Sequence, residues 1–537
     1  MMKSVGLYGI TILPVFLILL IKYFHPTLLG NEAGKLISPR QVIDPSFLSN
    51  DWAVARGLGD NVFDLIFALL IAPFWLCLRK AILVALAARL LCWGILLVAI
   101  VRLFRALSIE WYALSCGLVV WACHRQTLGA QEWLLSGAEA KCLAYAMLML
   151  ALDAALRKRL WRAGLCCGLA VCCHVLVGAW GSLALGCALL ICHRDYGWRR
   201  VAQFALLVAG ASMPVVLIAV RYAGPGTPAD RHASDRLAVT FSDPFHLDPS
   251  YFGGWHEFAV ALVLTVVAAW LFFKIATRPQ AKLLSAFLVL LLLEFLAGLS
   301  AWELNQSWFL KSFPFRVPDV LILLFFMLAL TCFVARKMVS LGKQLRELDP
   351  KARPASEWRS QVLFFIGACW VLAAFAAGPG YVFKKDLPVC VAAWRQYINA
   401  PETSWQEMTG WIRDHTPKSA IILAPPWEFT FWLDAERAQV VSYKRPPHNA
   451  GLVEWYRRMT AVNGGAFQTR GTMVKAELLN NYPKLSLAQL EAVHQLDGAD
   501  YYLTTQERGD LSANLIHVSG AYYLYQLRSL DPPVAPR

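Results

Sequence analysis

Val15-Phe16-Leu17-Ile18-Leu19-Leu20-Ile21-Lys22-Tyr23-Phe24-His25-Pro26-Thr27-Leu28-Leu29-Gly30-Asn31-Glu32 is the stretch whose reading decides the fold. Its first part closes an apolar run over residues 5–24, about the 20 residues that cross a bilayer as a helix. The run is not a cleavable signal, because no small-x-small site follows Phe24. Directly beyond it the chain turns polar and presents a carboxylate, Glu32, at membrane level. A partly desolvated acid there suits a general base. The other reading of the same residues has Asn31 capping a short interfacial helix, with Glu32 in its first turn facing water.

The whole chain supports a membrane reading of that stretch. Of 537 residues, 58% are hydrophobic and only 16% are charged. A soluble chain carries roughly 45–50% apolar and about 25% charged residues, so this one cannot keep a water-facing surface throughout. A soluble enzyme, a disordered chain and a nucleic-acid-binding domain are thereby excluded as its main business. The net charge of +14 reads as topology signals at membrane ends. Cysteine is used as a small apolar packing residue: most of the 14 lie in apolar runs, and only Cys390 falls in the polar C-terminal part. Cys166-Cys167 and Cys172-Cys173-His174 could be metal ligands, but their apolar, Gly- and Ala-containing surroundings favour helix packing.

Apolar runs of spanning character recur at 5–24, 81–104, 108–123, 140–157, 162–176, 178–193, 200–221, 256–274, 281–301, 316–335 and 361–382, about eleven in all. The 162–193 region could be one broken hairpin. Residues 62–78 are also apolar, and counting them as a span would reverse every later loop. Charge decides against that. With a cytoplasmic N-terminus and 62–78 at the outer interface, Arg102, Arg105, Arg157, Lys158, Arg159, Arg194, Arg199, Lys274, Lys282 and the basic 336–359 loop all fall on the cytoplasmic side, in one positive-inside phase. The expected location is the cytoplasmic (inner) membrane. The segments left outside are 25–80, 222–255 (rich in Pro, Gly, Asp and His) and 383–537. Trp52, Trp133, Trp255, Trp302 and Trp308 near their boundaries fit an aromatic belt.

The expected fold class is an α-helical polytopic membrane protein over 1–382 with an extracytoplasmic α/β domain over 383–537. In the latter, helices are predicted at 404–415, 428–434, 450–462, 472–481 and 486–496. Strands are predicted at 420–424, 439–443, 500–504, 514–518 and 522–527. No G-x-G-x-x-G, P-loop or H-E-x-x-H occurs there.

Two further constellations sit at outer span boundaries. Gly137-Ala138-Glu139-Ala140-Lys141 opens a span from outside, so Lys141 could hold a phosphate; the alternative is a snorkelling lysine paired with Glu139 or Glu132. Lys311-Ser312-Phe313-Pro314-Phe315-Arg316 precedes another span, and Arg316 could grip a pyrophosphate bidentately or snorkel to headgroups. Glu294 and Arg89 lie within apolar runs, where ionisable groups call for partners, each other among them.

An acid just after the first span, interfacial helices in that loop, about eleven spans and an extracytoplasmic α/β end together resemble the GT-C superfamily of polyprenyl-phosphate-sugar-dependent glycosyltransferases. More closely, Asp44–Trp52, Glu139–Lys141 and Pro425-Pro426…Lys444-Arg445-Pro446 resemble a bacterial multipass family without an assigned activity. The W-W-D-Y-G motif of oligosaccharyltransferases is absent, which argues against that particular activity. The resemblance implies an inverting, single-displacement transfer from a polyprenyl-phosphate-linked sugar that enters from the outer leaflet. Glu32 would deprotonate or orient the acceptor, with Asp51 the competing assignment, since Asn31-Glu32 stands where many relatives have two acids. Lys141, Arg316 and Lys311 would hold the donor phosphate, supported by Glu139 and Arg56. A divalent cation, Mg or Mn, bridging carboxylate and phosphate occurs in some relatives, but no ligand cluster in this sequence demands it. The partners so implied are the lipid-linked donor, membrane lipid and an acceptor of unspecified class, with no nucleic acid. The rival classes are a transporter or flippase, which internal repeats and midplane polar groups would favour, and a non-catalytic membrane scaffold.

Overall fold

The structure, a computed structural model, describes residues 2–29, 31–55, 64–124, 126–132, 134–221, 227–348, 382–447 and 449–527. The expected span at 361–382 therefore lies almost wholly outside the described residues, as does Arg56. The chain divides into two compact units, one of residues 1–25, 86–216 and 245–394, the other of residues 26–85, 217–244 and 395–537.

The first unit is helical. Among the described residues, five helices are long and apolar enough to cross a membrane: Ala81–Arg105, Trp198–Val220, Trp255–Ile275, Arg278–Glu303 and Arg316–Ser340. Other expected spans are shorter helices, Trp111–Cys123, Leu160–Cys173 and Val175–Ile191 among them. Local chemistry sets their ends. Thr277 and Gln280 form a reciprocal capping box, with Pro at the start of Arg278–Glu303. The 162–193 region is a pair of helices hinged at His174, whose backbone is extended and whose ring accepts from the Val177 N–H. At that hinge only glycine fits: a Cβ on Gly178 would lie 2.2 Å from Val171 N and 2.3 Å from Ala170 C.

Polar groups in this unit are tied where they would otherwise be stranded. Lys22 donates to the last carbonyls of Trp111–Cys123, at 2.8 Å to Ala122 O and 3.2 Å to Cys123 O, a cation at a helix C-terminus. Arg102 and Arg157 share the buried Asp153 at 2.8 and 2.6 Å. Arg89 and Glu294 do not pair. Arg89 donates to the carbonyls of Tyr23 and His25, whereas both carboxyl oxygens of Glu294 are buried without a hydrogen-bond partner among the described residues.

The second unit carries a five-stranded mixed sheet of β1 (Ile421–Leu423), β2 (Ala438–Gln439), β3 (Tyr501–Thr504), β4 (Leu515–Ser519) and β5 (Tyr522–Gln526). Their order is β2-β1-β3-β5-β4, parallel from β2 to β3 and antiparallel from β3 to β4. The second strand is shorter than the sequence suggests, stopping at Gln439. Helix Ser404–His415 starts on the Thr403–Gln406 capping box and helix Leu487–Asp497 on Ser486–Gln489, the latter ending at Gly498 with φ +70°. Met408, Ile412, Ile422, Phe431, Leu503 and Leu524 form a core between helix and sheet.

Residues 26–85 belong to this unit through side-chain bonds to the C-terminal chain. Trp52 Nε1 donates to Val440 O at 2.6 Å, Asn50 to Ser419 O at 2.8 Å, and Arg40 pairs with Glu436 at 2.7 Å. The 62–78 run forms a helix, Leu65–Leu78, of 14 residues, shorter than the roughly 20 that a crossing takes.

Candidate functional site

Lys141 and Arg316 meet at one carboxylate in the first unit. Lys141 is the second residue of helix Ala140–Leu156, and Arg316 opens helix Arg316–Leu348. A cation in a first turn faces the positive end of the helix dipole and is disfavoured there. Glu132, on the 124–139 loop, offsets both. Lys141 Nζ lies 2.8 Å from Glu132 Oε2, and Arg316 Nε pairs with Glu132 Oε1. The Glu132 side chain is 1% exposed. Burial pushes its carboxyl up, but the charges of Arg316 and Lys141 outweigh that and hold it well below the usual carboxylate range. Two cations and two helix N-termini on one carboxylate make an electropositive spot suited to an anion.

The loop that carries Glu132 is held from several sides. Asp319 Oδ1 accepts the N–H groups of Gly129 (2.7 Å) and Ala130 (3.1 Å). Trp93 Nε1 donates to Leu135 O at 3.0 Å, and Gln126 accepts from Leu135 N at 3.2 Å. Gly129 is required: a Cβ there would sit 2.7 Å from Glu257 Cγ and 3.0 Å from Phe252 O. Arg316 is fixed in turn. Its guanidinium stacks 3.9 Å over the Phe313 ring, and its carbonyl accepts from Tyr145 OH at 3.0 Å. Glu139 is buried at the N-cap of the Lys141 helix, and Lys311 is half-buried at the end of the short helix Ser307–Leu310.

The first-loop acids lie in the second unit. Glu32 opens helix Glu32–Ile43, is 1% exposed, and its Oε2 accepts from Leu29 N at 2.7 Å. Asn31 makes no side-chain cap, so the reading of Glu32 as a water-facing first-turn residue under an Asn31 cap is corrected: Glu32 itself reaches back to the N–H before the helix. Asp51 is fully buried, with Oδ2 accepting from Trp432 Nε1 (2.7 Å) and Gln439 N (2.9 Å) and Oδ1 from Ala53 N (2.9 Å). Burial raises the Asp51 carboxyl pKa, against the pull of those N–H groups and of Arg445.

Sequence reasoning named Lys141, Arg316 and, as a partner, Glu132. It missed Asp319, His246 and Tyr145. Asp319 left a signal, an acid in the first turn of an apolar helix. His246 left only the histidine content of the 222–255 segment. Among the described residues no three of His, Cys, Asp and Glu stand together as ligands for a metal ion.

Three comparisons with known proteins bear on this arrangement. A family model described as a domain of unknown function (DUF6798) matches residues 403–462. No curated protein matches the chain. Solved structures of the oligosaccharyltransferase AglB from Archaeoglobus fulgidus are similar to it. One, in complex with an inhibitory peptide and a dolichol-phosphate, has a TM-score of 0.50 at 12% identity over 93% of this chain and 69% of that one. The apo form gives the same values. A form tethered to an acceptor peptide gives 0.50 at 10% identity over 94% and 69%. Identities this low speak to the fold alone, which this chain shares with those structures over most of its length.

Proposed function

We propose that the protein transfers a sugar from a polyprenyl-phosphate-linked donor to an acceptor at the outer face of the cytoplasmic membrane. The observation that carries this is the convergence of Lys141 and Arg316, each at the N-terminus of an apolar helix, on the single carboxylate of Glu132. A site for a leaving phosphate needs fixed positive charge in a place poor in water, and this cluster has both. The dolichol-phosphate in the similar oligosaccharyltransferase fits the same donor chemistry.

In this reading Lys141, Arg316 and Lys311 bind the donor phosphate and stabilise its second negative charge as the bond to the sugar breaks. Glu139, at the N-cap of the Lys141 helix, supports that site. Glu132 holds the two cations in place before the donor arrives. Glu32 takes the proton of the acceptor nucleophile in a single, inverting displacement. Asp51, whose carboxylate accepts from three N–H groups, is the competing assignment for the base. The divalent cation of some relatives finds no fitting donor set among the described residues: Glu132 is spent on two cations and Asp319 Oδ1 on two N–H groups.

Mass spectrometry of envelope glycans and glycoconjugates from cells with and without the gene tests the proposal. A glycan or glycan modification lost with the gene, and restored by wild type but not by Arg316→Ala, is the expected result. Identical profiles in both strains would overturn the transferase reading.

A further inference from the structure

His246, on the short helix Pro244–Leu247, has no part in the mechanism above, yet it stands at the same cluster. Its Nδ1 is 2.6 Å from Ala130 O. A carbonyl only accepts, so Nδ1 carries the proton and Nε2 is left with its lone pair. Nε2 has no hydrogen-bond partner among the described residues. The residue whose carbonyl it grips, Ala130, is one whose N–H Asp319 holds at 3.1 Å, so the ring is fixed to the loop that carries Glu132. Its centroid lies 6.3 Å from that of Phe313, the ring under the Arg316 guanidinium.

The charged groups around the imidazole come from three elements: Glu132 from the loop, Lys141 from one helix start and Arg316 from another. Asp319, one turn beyond Arg316, has Oδ1 occupied by Gly129 and Ala130. Glu132 is the carboxylate whose charge acts most on the ring, and both its oxygens are already taken by the cations.

We propose that His246 is a third donor of the anion site, binding the donor phosphate through Nε2 and taking up one proton as the phosphate arrives. This rests on reading the cluster as the donor-phosphate site. Before binding, burial and the neighbouring Arg316 and Lys141 hold the ring below the usual histidine range, despite Glu132 and the Ala130 carbonyl. A phosphodiester oxygen beside Nε2 supplies the missing negative charge, and a proton from solvent completes an N–H···O bond. When the sugar C1–O bond breaks, its electron pair goes to the phosphate oxygen. The phosphate passes from one negative charge to two, and the imidazolium is already there to meet the second.

The test uses the purified full chain in detergent and a prenyl methyl phosphodiester, whose single charge is constant between about pH 5 and 8. Calorimetry in two buffers of different ionisation enthalpy counts the protons taken up. For wild type, uptake approaching one proton is expected, with affinity rising up to about tenfold per unit as pH falls between the free and bound histidine pKa values. His246→Asn keeps an N–H for Ala130 O, and should bind with the wild-type affinity of about pH 8 and without a pH slope. Zero proton uptake by wild type would overturn the proposal without recourse to any variant. Binding that depends on Arg316 but keeps its full slope in His246→Asn would overturn the role of His246 alone. Binding indifferent to both Arg316→Ala and Lys141→Ala would overturn the phosphate-site reading together with it.

Discussion

Glu132 has two carboxyl oxygens and two cations to serve, and it gives one to each. Removing its charge leaves Lys141 and Arg316 facing each other at 7% and 12% side-chain exposure. Breaking a buried pair on one side costs about 3–5 kcal/mol, so Glu132→Gln should lower the thermal midpoint in detergent clearly. The sign with pH follows from the depressed pKa. The contribution of Glu132 is complete above its unfolded value near 4.5 and is lost only as pH falls through the lower folded value. The gap between wild type and Glu132→Gln should therefore stay constant from about pH 7 to 5. A gap that closes within that range would show that the ion pairs are not what Glu132 contributes. At this scale the sequence was informative where residue type conflicts with position. Lys141 and Arg316 stand at helix N-termini, where a cation needs a reason. His246 conflicts with nothing in its own segment, so only the 2.6 Å bond to Ala130 reveals it.

At the scale of elements, most helix starts were legible because capping is local. Thr403-x-x-Gln406 and Ser486-x-x-Gln489 mark helices that begin one residue later. The break in the 162–193 region was legible as an ambiguity, and the structure resolves it into two helices packed through Gly178. A methyl group at Gly178 would meet backbone atoms of Ala170 and Val171 at 2.2–2.4 Å, and backbone cannot swing aside as a side chain can. Gly178→Ala should cost at least the 1–3 kcal/mol of an overpacked core and reduce the yield of folded protein. Gly210→Ala, where nothing lies within 4 Å, should be neutral or stabilising by up to about 1 kcal/mol. Equal yields and midpoints for the two variants would contradict the hinge packing. The short strand β2 was less legible. The β-branched Val440 and Val441 follow Gln439 and read as more strand, but ladder pairing stops at Gln439.

At the scale of the whole molecule, the ties between distant segments could not be read from the chain. Asp51 and Trp432 are 381 positions apart, and nothing local to either announces the 2.7 Å bond between them. That bond, with those to Gln439 and Ala53, makes residues 26–85 part of the unit that holds the sheet. Asp51→Asn removes the charge and one acceptor, at a cost of about 1–3 kcal/mol for the donor left unpaired. Limited proteolysis should then cut the 395–527 region faster than in wild type, while the helices of the first unit keep their protection. Unchanged cleavage would show that the first loop does not secure that region. The proposed orientation is checked separately. Alkaline phosphatase fused after Leu387 should be active and fusions within 336–360 inactive, and an active fusion near Lys343 would reverse the outer and inner faces.

The central claim is that Lys141 and Arg316 bind the phosphate of a lipid-linked donor, and titration of the purified protein with a short-chain polyprenyl monophosphate addresses it most directly. A charged hydrogen bond contributes about 1.5–3 kcal/mol, which corresponds to roughly a ten- to hundredfold change in Kd. Wild type should bind, Lys141→Ala and Arg316→Ala should each weaken binding by about that factor, and Lys282→Ala, an exposed ion-pair residue 3.3 Å from Asp195, should bind as wild type does. Absence of binding by wild type, or an affinity untouched by both Lys141→Ala and Arg316→Ala, would contradict the account.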